Sequence, residues 1–157
     1  MIKVIKWALV LICMIQIFLF SADPAYQSDQ KSNGVIIWIA EKIVGHTLNE
    51  TERENKINQF ALVVRKSAHI SIYWLLGLLV LSLLKEYKPI DWKIMLKAFA
   101  LSFLYACSDE IHQLYVPGRS GSIIDIGIDS IGIYLGVLSY YYFYKLRRKH
   151  EQEKTIC

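Results

Sequence analysis

The 157 residues are 54% apolar and 20% charged, with a mean hydropathy of +0.31, which is more apolar material than a soluble domain of this length needs to fill one core. Length limits the chain to one domain, and its cysteines at 13, 107 and 157 give neither metal-ligand spacing nor a disulfide framework, which excludes a zinc ribbon and a disulfide-stapled secreted fold. A net charge of +4 would suggest nucleic acid in a soluble chain. Here the basic residues flank apolar runs, which points to a lipid bilayer and away from nucleic acid.

The first apolar run, Trp7 to Phe20, follows a basic start with Lys3 and Lys6, as in a secretory signal. The exit Phe20-Ser21-Ala22-Asp23-Pro24-Ala25 lacks the small-residue pattern of a cleavage site, so a retained helix is expected. Residues Asp23 to Gly34 are rich in turn formers. The stretch Val35 to Ala40 is apolar but too brief to span, and is expected in the interface or against the bundle. Ile57, Phe60, Ala61 and Val64 then fall at helical spacing, predicting a short amphipathic helix that runs into the second span, Ala68 to Leu84. A third span is expected from Ile94 to about Tyr115, before Pro117-Gly118, and a fourth from Ile123 to Tyr144. With their flanks these runs are long enough, at about 1.5 Å per residue, to cross a hydrocarbon core of about 30 Å. Backbone polar groups have no water at that depth, so helices are the economical reading. The expected fold is all-α and polytopic, with four transmembrane helices at about 7–20, 68–84, 94–115 and 123–144, one domain over residues 1–150, and a tail over 151–157.

Orientation follows the placement of Lys and Arg. With the N-terminus inside, 11 basic residues lie inside and 7 outside, most of the latter in one long loop that counts weakly in this rule. The basic stretch Lys145 to Lys149 is the firmest anchor, so both termini are expected in the cytoplasm. The tyrosines at 140, 141, 142 and 144 beside it read as an interfacial aromatic belt.

This topology gathers the unusual polar residues at one depth. Arg65, Lys66 and His69 enter the second span from outside, with Tyr73 four residues on; Asp109, Glu110, His112 and Gln113 end the third; Asp125 and Asp129 share one face at the start of the fourth. An ionised group in hydrocarbon costs roughly 2.5 to 3.5 kcal/mol even on lenient scales, so these groups should face one another in a polar pocket open to the outside. Gly132 and Gly136 form a GxxxG pattern suited to close helix approach. Asp125, three residues after Ser122, reads either as a helix-capping residue or as part of the pocket. Arg119, with the free N–H groups of Gly121 and Ser122, reads as an anion site at a helix start. His46 and His150 sit away from the cluster and read as structural. Asp109-Glu110-Ile111-His112 lacks the HExxH spacing, so no metal or other cofactor is expected. Ser108, Ser120 and Ser122 lack a nucleophile elbow and read as capping and turn residues.

The string from Ser108 to Ser122, including Asp109-Glu110-Ile111-His112-Gln113 and Val116-Pro117-Gly118-Arg119, followed by Asp125 and Ile128-Asp129-Ser130-Ile131-Gly132, resembles the signature of the VanZ-like membrane proteins. Arg65-Lys66-Ser67-Ala68-His69 is similar to that family's entry to the second span, and Phe20-Ser21 with Pro24, Gln27 and Ser28 to its exit from the first. Ile72 stands where many members carry an acid. The resemblance covers about residues 7 to 140. It implies a bacterial cell-membrane protein with an envelope role, the founding member being associated with low-level teicoplanin resistance, and it supplies no reaction.

Three functions fit these residues. The first is a module whose outward pocket binds an anionic lipid or cell-wall precursor headgroup through His69, Gln113, Arg119, Asp125 and Asp129. The second is a membrane-embedded hydrolase or transferase acting on a lipid-linked substrate, with His69 or His112 as general base and Asp109 or Glu110 orienting or polarising it. The third is a structural or partner-binding module with no small ligand.

Overall fold

The structure, a computed structural model, describes residues 1–156 without the side chains of residues 153, 155 and 156; Cys157 lies outside the described residues. It is all-α: α1 (Ile2–Ala22), α2 (Ala25–Val44), α3 (Glu50–Leu84), α4 (Trp92–Gln113) and α5 (Ile123–Ile156). Local signals set most boundaries. Asn49 caps α3 reciprocally with Glu52, at 2.9 Å in each direction, and the Asp91 side chain accepts from Ile94 N–H at 2.8 Å to start α4. Gly45, at φ 82°, closes α2 in the left-handed conformation that favours glycine.

Helix α3 packs along α5, and both meet α4; α1 lies against α3 and α4, and α2 against α3. The α3–α5 pair is a backbone contact. A Cβ at Gly132 would stand 2.5 Å from the Ile70 carbonyl oxygen, and one at Gly77 2.5 Å from that of Ile133. Only missing side chains allow such an approach. The core includes Val10 and Ile17 of α1, Tyr73 and Leu76 of α3, Ala106 of α4 and Ile133 of α5. The opposite face of α1 is apolar and open, with Leu9, Leu11, Ile12, Ile15, Phe18 and Leu19 each 45–56% exposed. Water disfavours a continuous face of that kind and lipid does not.

Three of these helices, α1, α3 and α5, are long and apolar enough to cross a membrane. The expectation was four. Helix α4 has the length, 22 residues, but carries Lys93, Lys97, Asp109 and Glu110, so it lacks the uninterrupted apolar run of the others. Most of the turn-rich stretch 23–34 is also helical, with residues 25–34 forming the first half of α2. Pro24 precedes its first turn, where a missing N–H costs nothing, and Ala25 N–H donates to the Pro117 carbonyl at 3.2 Å. Tertiary contact thus overrides weak local preference. The apolar stretch at 35–40 lies within α2, with Ile36 buried. The residues at 57–64 belong to α3, which continues unbroken into the second apolar run.

The two ends of the bundle are chemically different. At one end Lys6 donates to the Ser82 carbonyl at 2.9 Å and to Glu86 at 2.7 Å, and Lys85 and Arg148 lie over the Tyr144 ring. The Pro117-Gly118-Arg119 turn precedes α5 at the other end, about 33 Å from Lys145 along that helix. Lys6 also holds the Glu86 carboxyl below its ordinary range. A depressed carboxylate contributes stability above its unfolded value and loses it as pH falls through the folded one. Glu86→Gln should therefore lower the neutral plateau slightly and flatten the acid limb of the thermal midpoint measured against pH in detergent, a small effect as expected for a surface ion pair.

Candidate functional site

The polar residues of four helices meet at the end that carries the Pro-Gly turn. Asp109 is the hub, 4% exposed. Its Oδ2 accepts from Ser21 Oγ of α1 at 2.7 Å, from Tyr73 OH of α3 at 3.0 Å and from Gln113 Nε2 one turn on at 3.3 Å. Each donor comes from a position that faces the bundle axis, so one carboxylate ties α1, α3 and α4 together. Beside it, His69 Nδ1 of α3 lies 3.2 Å from Asp129 Oδ1 of α5, and Lys66 reaches Asp125 at 2.6 Å. The i, i+4 spacing of Asp125 and Asp129 turns both toward α3, where Lys66 and His69 sit at matching heights. Asp125 is thus an ion-pair partner.

The loop before α5 differs from expectation. The Ser122 N–H points inward and donates to Glu110 Oε2 at 2.9 Å, while Gly121 lies so close to α4 that a Cβ would stand 2.5 Å from the Glu110 carbonyl oxygen. The anion at this helix start is the protein's own Glu110, consistent with the donor groups and dipole there. Nor does Arg119 form a direct ion pair with a carboxylate among the described residues. Its guanidinium donates to the carbonyls of Asp23 at 2.8 Å and Phe20 at 2.9 Å, and more weakly to Gln113 Oε1 at 3.5 Å. It acts as a clasp that joins the loop to the end of α1, whose last carbonyls have no helical partner.

His112 stands apart from the other candidates. It stacks on Phe18 of α1 with ring centroids 4.5 Å apart, and its Nε2 is buried without a hydrogen-bond partner. By contrast His69, Glu110 and Asp129 bring one ligand-type atom each to within 4.8 Å of one another. No spacing within one helix announces that trio, since each member comes from a different helix.

Two recesses open beside this network. The larger, about 600 Å³, runs from Ile17 and Phe20 past Val35, Val64 and Ile72 to a polar end at Asp109, His69, Arg65 and Arg119. The smaller, about 220 Å³, lies between Arg65, Lys66, His69, Arg119, Ser120 and Asp125. The rim cations are lightly held: Lys31 pairs with Asp23, and Arg65 with Asp29 at 3.2 Å with both side chains substantially exposed. Ser21 and Lys31 complete the site and were not among the site residues expected from the sequence, Ser21 having entered only through the resemblance at the exit of the first span. Ser21 sits in an ordinary helix exit, and Lys31 in a stretch that reads as turn.

Neither a curated relative nor a solved structure matches the chain. The model of the VanZ/LLP1 family matches residues 6–144, a stretch that holds every member of the polar network from Ser21 to Asp129, and on that match the chain belongs to the VanZ/LLP1 family.

Proposed function

We propose that the larger recess binds an amphiphile with an anionic headgroup, a membrane lipid or a lipid-linked cell-wall precursor, and that this links the protein to envelope function and to low-level glycopeptide tolerance. In this reading the protein sits in the bacterial cell membrane with α4 as a fourth crossing, both termini in the cytoplasm and the recess facing out. The charges of α4 do not oppose a crossing: Asp109 and Glu110 are turned into the bundle, while Lys93 and Lys97 stand near its other end, within reach of headgroups.

The observation that carries the reading is the shape and lining of the recess. A long apolar wall suits an acyl or prenyl chain, and Arg65, Lys31 and Arg119 cluster at its polar end. The exposed Arg65–Asp29 pair contributes little by itself, so a phosphate can replace Asp29 as the partner of Arg65 at small cost, with a charge-assisted bidentate contact. Arg65→Gln should weaken binding of an anionic lipid to the detergent-purified protein by about tenfold, the equivalent of one lost charged hydrogen bond. It should also lower teicoplanin tolerance in a strain that depends on the gene, with folded yield unchanged. Unaltered binding and tolerance would remove the reading and leave a structural or partner-binding network.

One observation favours a second reading, a hydrolase or transferase on a lipid-linked substrate. His69 lines both recesses, its Nδ1 is held by Asp129, and its other ring nitrogen has no partner among the described residues. That is the orientation a general base requires. Turnover of a lipid-linked substrate that is lost in His69→Gln, with headgroup binding retained, would select this reading over the first.

A further inference from the structure

We propose that His69, Glu110 and Asp129 form a divalent transition-metal site at the inner end of the recesses. The inference does not rest on the lipid reading above. It starts from charge. Asp109, Glu110 and Asp129 are 4%, 3% and 0% exposed, and an ion buried without compensation costs several kcal/mol. Neither nearby cation pairs with Glu110 or Asp129: Lys66 pairs with Asp125, and Arg119, whose charge acts on Asp109, is hydrogen-bonded chiefly to backbone carbonyls. Asp109 has three hydrogen-bond donors of its own, and one imidazole is left beside the carboxylates of Glu110 and Asp129.

Geometry gives the second argument. Asp129 Oδ2 is fully buried and has no hydrogen-bond partner, although Oδ1 is engaged by His69. A carboxylate oxygen in that state is a costly feature in an interior, and a metal ligand is one thing it is suited to be. One ligand atom from each of α3, α4 and α5 already lies within 4.8 Å of the other two. Three atoms bound to one zinc ion at about 2.0–2.2 Å stand roughly 3.4 Å apart in a tetrahedron, so rotamer adjustments close the site.

The donor set decides the class of ion. One imidazole and two carboxylates suit zinc, manganese or ferrous iron; calcium and magnesium favour all-oxygen shells. The existing bonds of Glu110 to Ser122 N–H and Gln113 would serve to orient that ligand. Of the three, His69 alone borders the recesses, so an ion would reach the site past its ring, with Glu110 and Asp129 on the bundle side.

The test uses the full chain, purified in detergent with its affinity tag removed, stripped with chelator and dialysed against zinc or manganese chloride. Elemental analysis should find about one ion per chain, and the thermal midpoint should rise with the metal. Asp129→Asn and Glu110→Gln should weaken binding at least about tenfold, while His112→Ala and His46→Ala leave it unchanged. No bound ion, or binding unaltered in both carboxylate variants, would overturn the proposal. So would an infrared band of protonated carboxylic acid in wild-type protein supplied with zinc that disappears in Asp129→Asn, because protons would then balance the charge. If Asp129→Asn does not fold, Glu110→Gln and the response of the wild-type midpoint to zinc decide the matter alone, and a midpoint unmoved by zinc and manganese counts against the site.

Discussion

Replacing Asp109 with alanine should cost the folded protein about 3 kcal/mol or more, measured as a fall in unfolding midpoint in detergent micelles. The substitution removes the acceptor of three donors. Tyr73 is 0% exposed and Ser21 3%, so neither can turn to solvent, and each buried donor left unpaired costs about 1–3 kcal/mol. Asp109→Asn is the informative partner. An amide keeps one oxygen for Ser21 and Tyr73 and removes a buried negative charge, so its loss should be much smaller. A further variant, Asp109→Ala with Tyr73→Phe, removes the stranded hydroxyl along with its acceptor and should recover part of the alanine penalty. An alanine variant that unfolds where the wild type does would mean that Asp109 does not tie α1, α3 and α4 together.

Gly136→Leu should be at least as damaging. A Cβ at this position would stand 2.0 Å from the Trp74 carbonyl oxygen and 2.9 Å from the Leu78 nitrogen. Both are backbone atoms of α3, which cannot rotate away as a side chain can. Ordinary overpacking costs about 1–3 kcal/mol because neighbours adjust; here the adjustment is separation of two helices. The loss should exceed that range and abolish the Trp74 Nε1 to Ser139 Oγ hydrogen bond, 3.1 Å long in the native fold. Even Gly136→Ala should be destabilising. Gly127 provides the control on the same helix, since nothing lies within 4 Å of its built Cβ, and Gly127→Ala should be neutral or stabilising by up to about 1 kcal/mol. Equal effects at 127 and 136 would show that helix propensity, and not contact with α3, governs this face.

Both predictions concern features that the chain announces only in part. The GxxxG spacing of Gly132 and Gly136 is visible, as is the clustering of Asp109, Glu110 and Asp129 at one depth. Spacing alone does not reveal that Gly77 of α3 meets the Ile133 backbone between Gly132 and Gly136, or that Asp109 is held by Ser21. Arg119 illustrates the same limit. An arginine on a glycine-serine turn at a helix start reads as an anion receptor, yet the turn is filled by Glu110 and the guanidinium is bound mostly to backbone carbonyls. His112 and His69 look equivalent when only their distance from the acidic residues is considered. Forty-three residues and a change of helix separate them, and they meet different neighbours: Phe18 for one, Asp129 for the other.

Hydropathy and charge by themselves determined that the chain is all-α, that it carries apolar helices able to cross a bilayer, though the count they gave was four where three are long and apolar enough, and that its carboxylates must turn inward, because desolvation acts on each residue whatever its neighbours are. Tertiary structure decided the rest: that residues 25–34 are helical, that Glu110 fills the start of α5, and that an imidazole and two carboxylates from three helices share one small volume. Those outcomes depend on the rotation and height of one helix relative to another. They are set by packing between residues far apart in the chain, and no local periodicity encodes them.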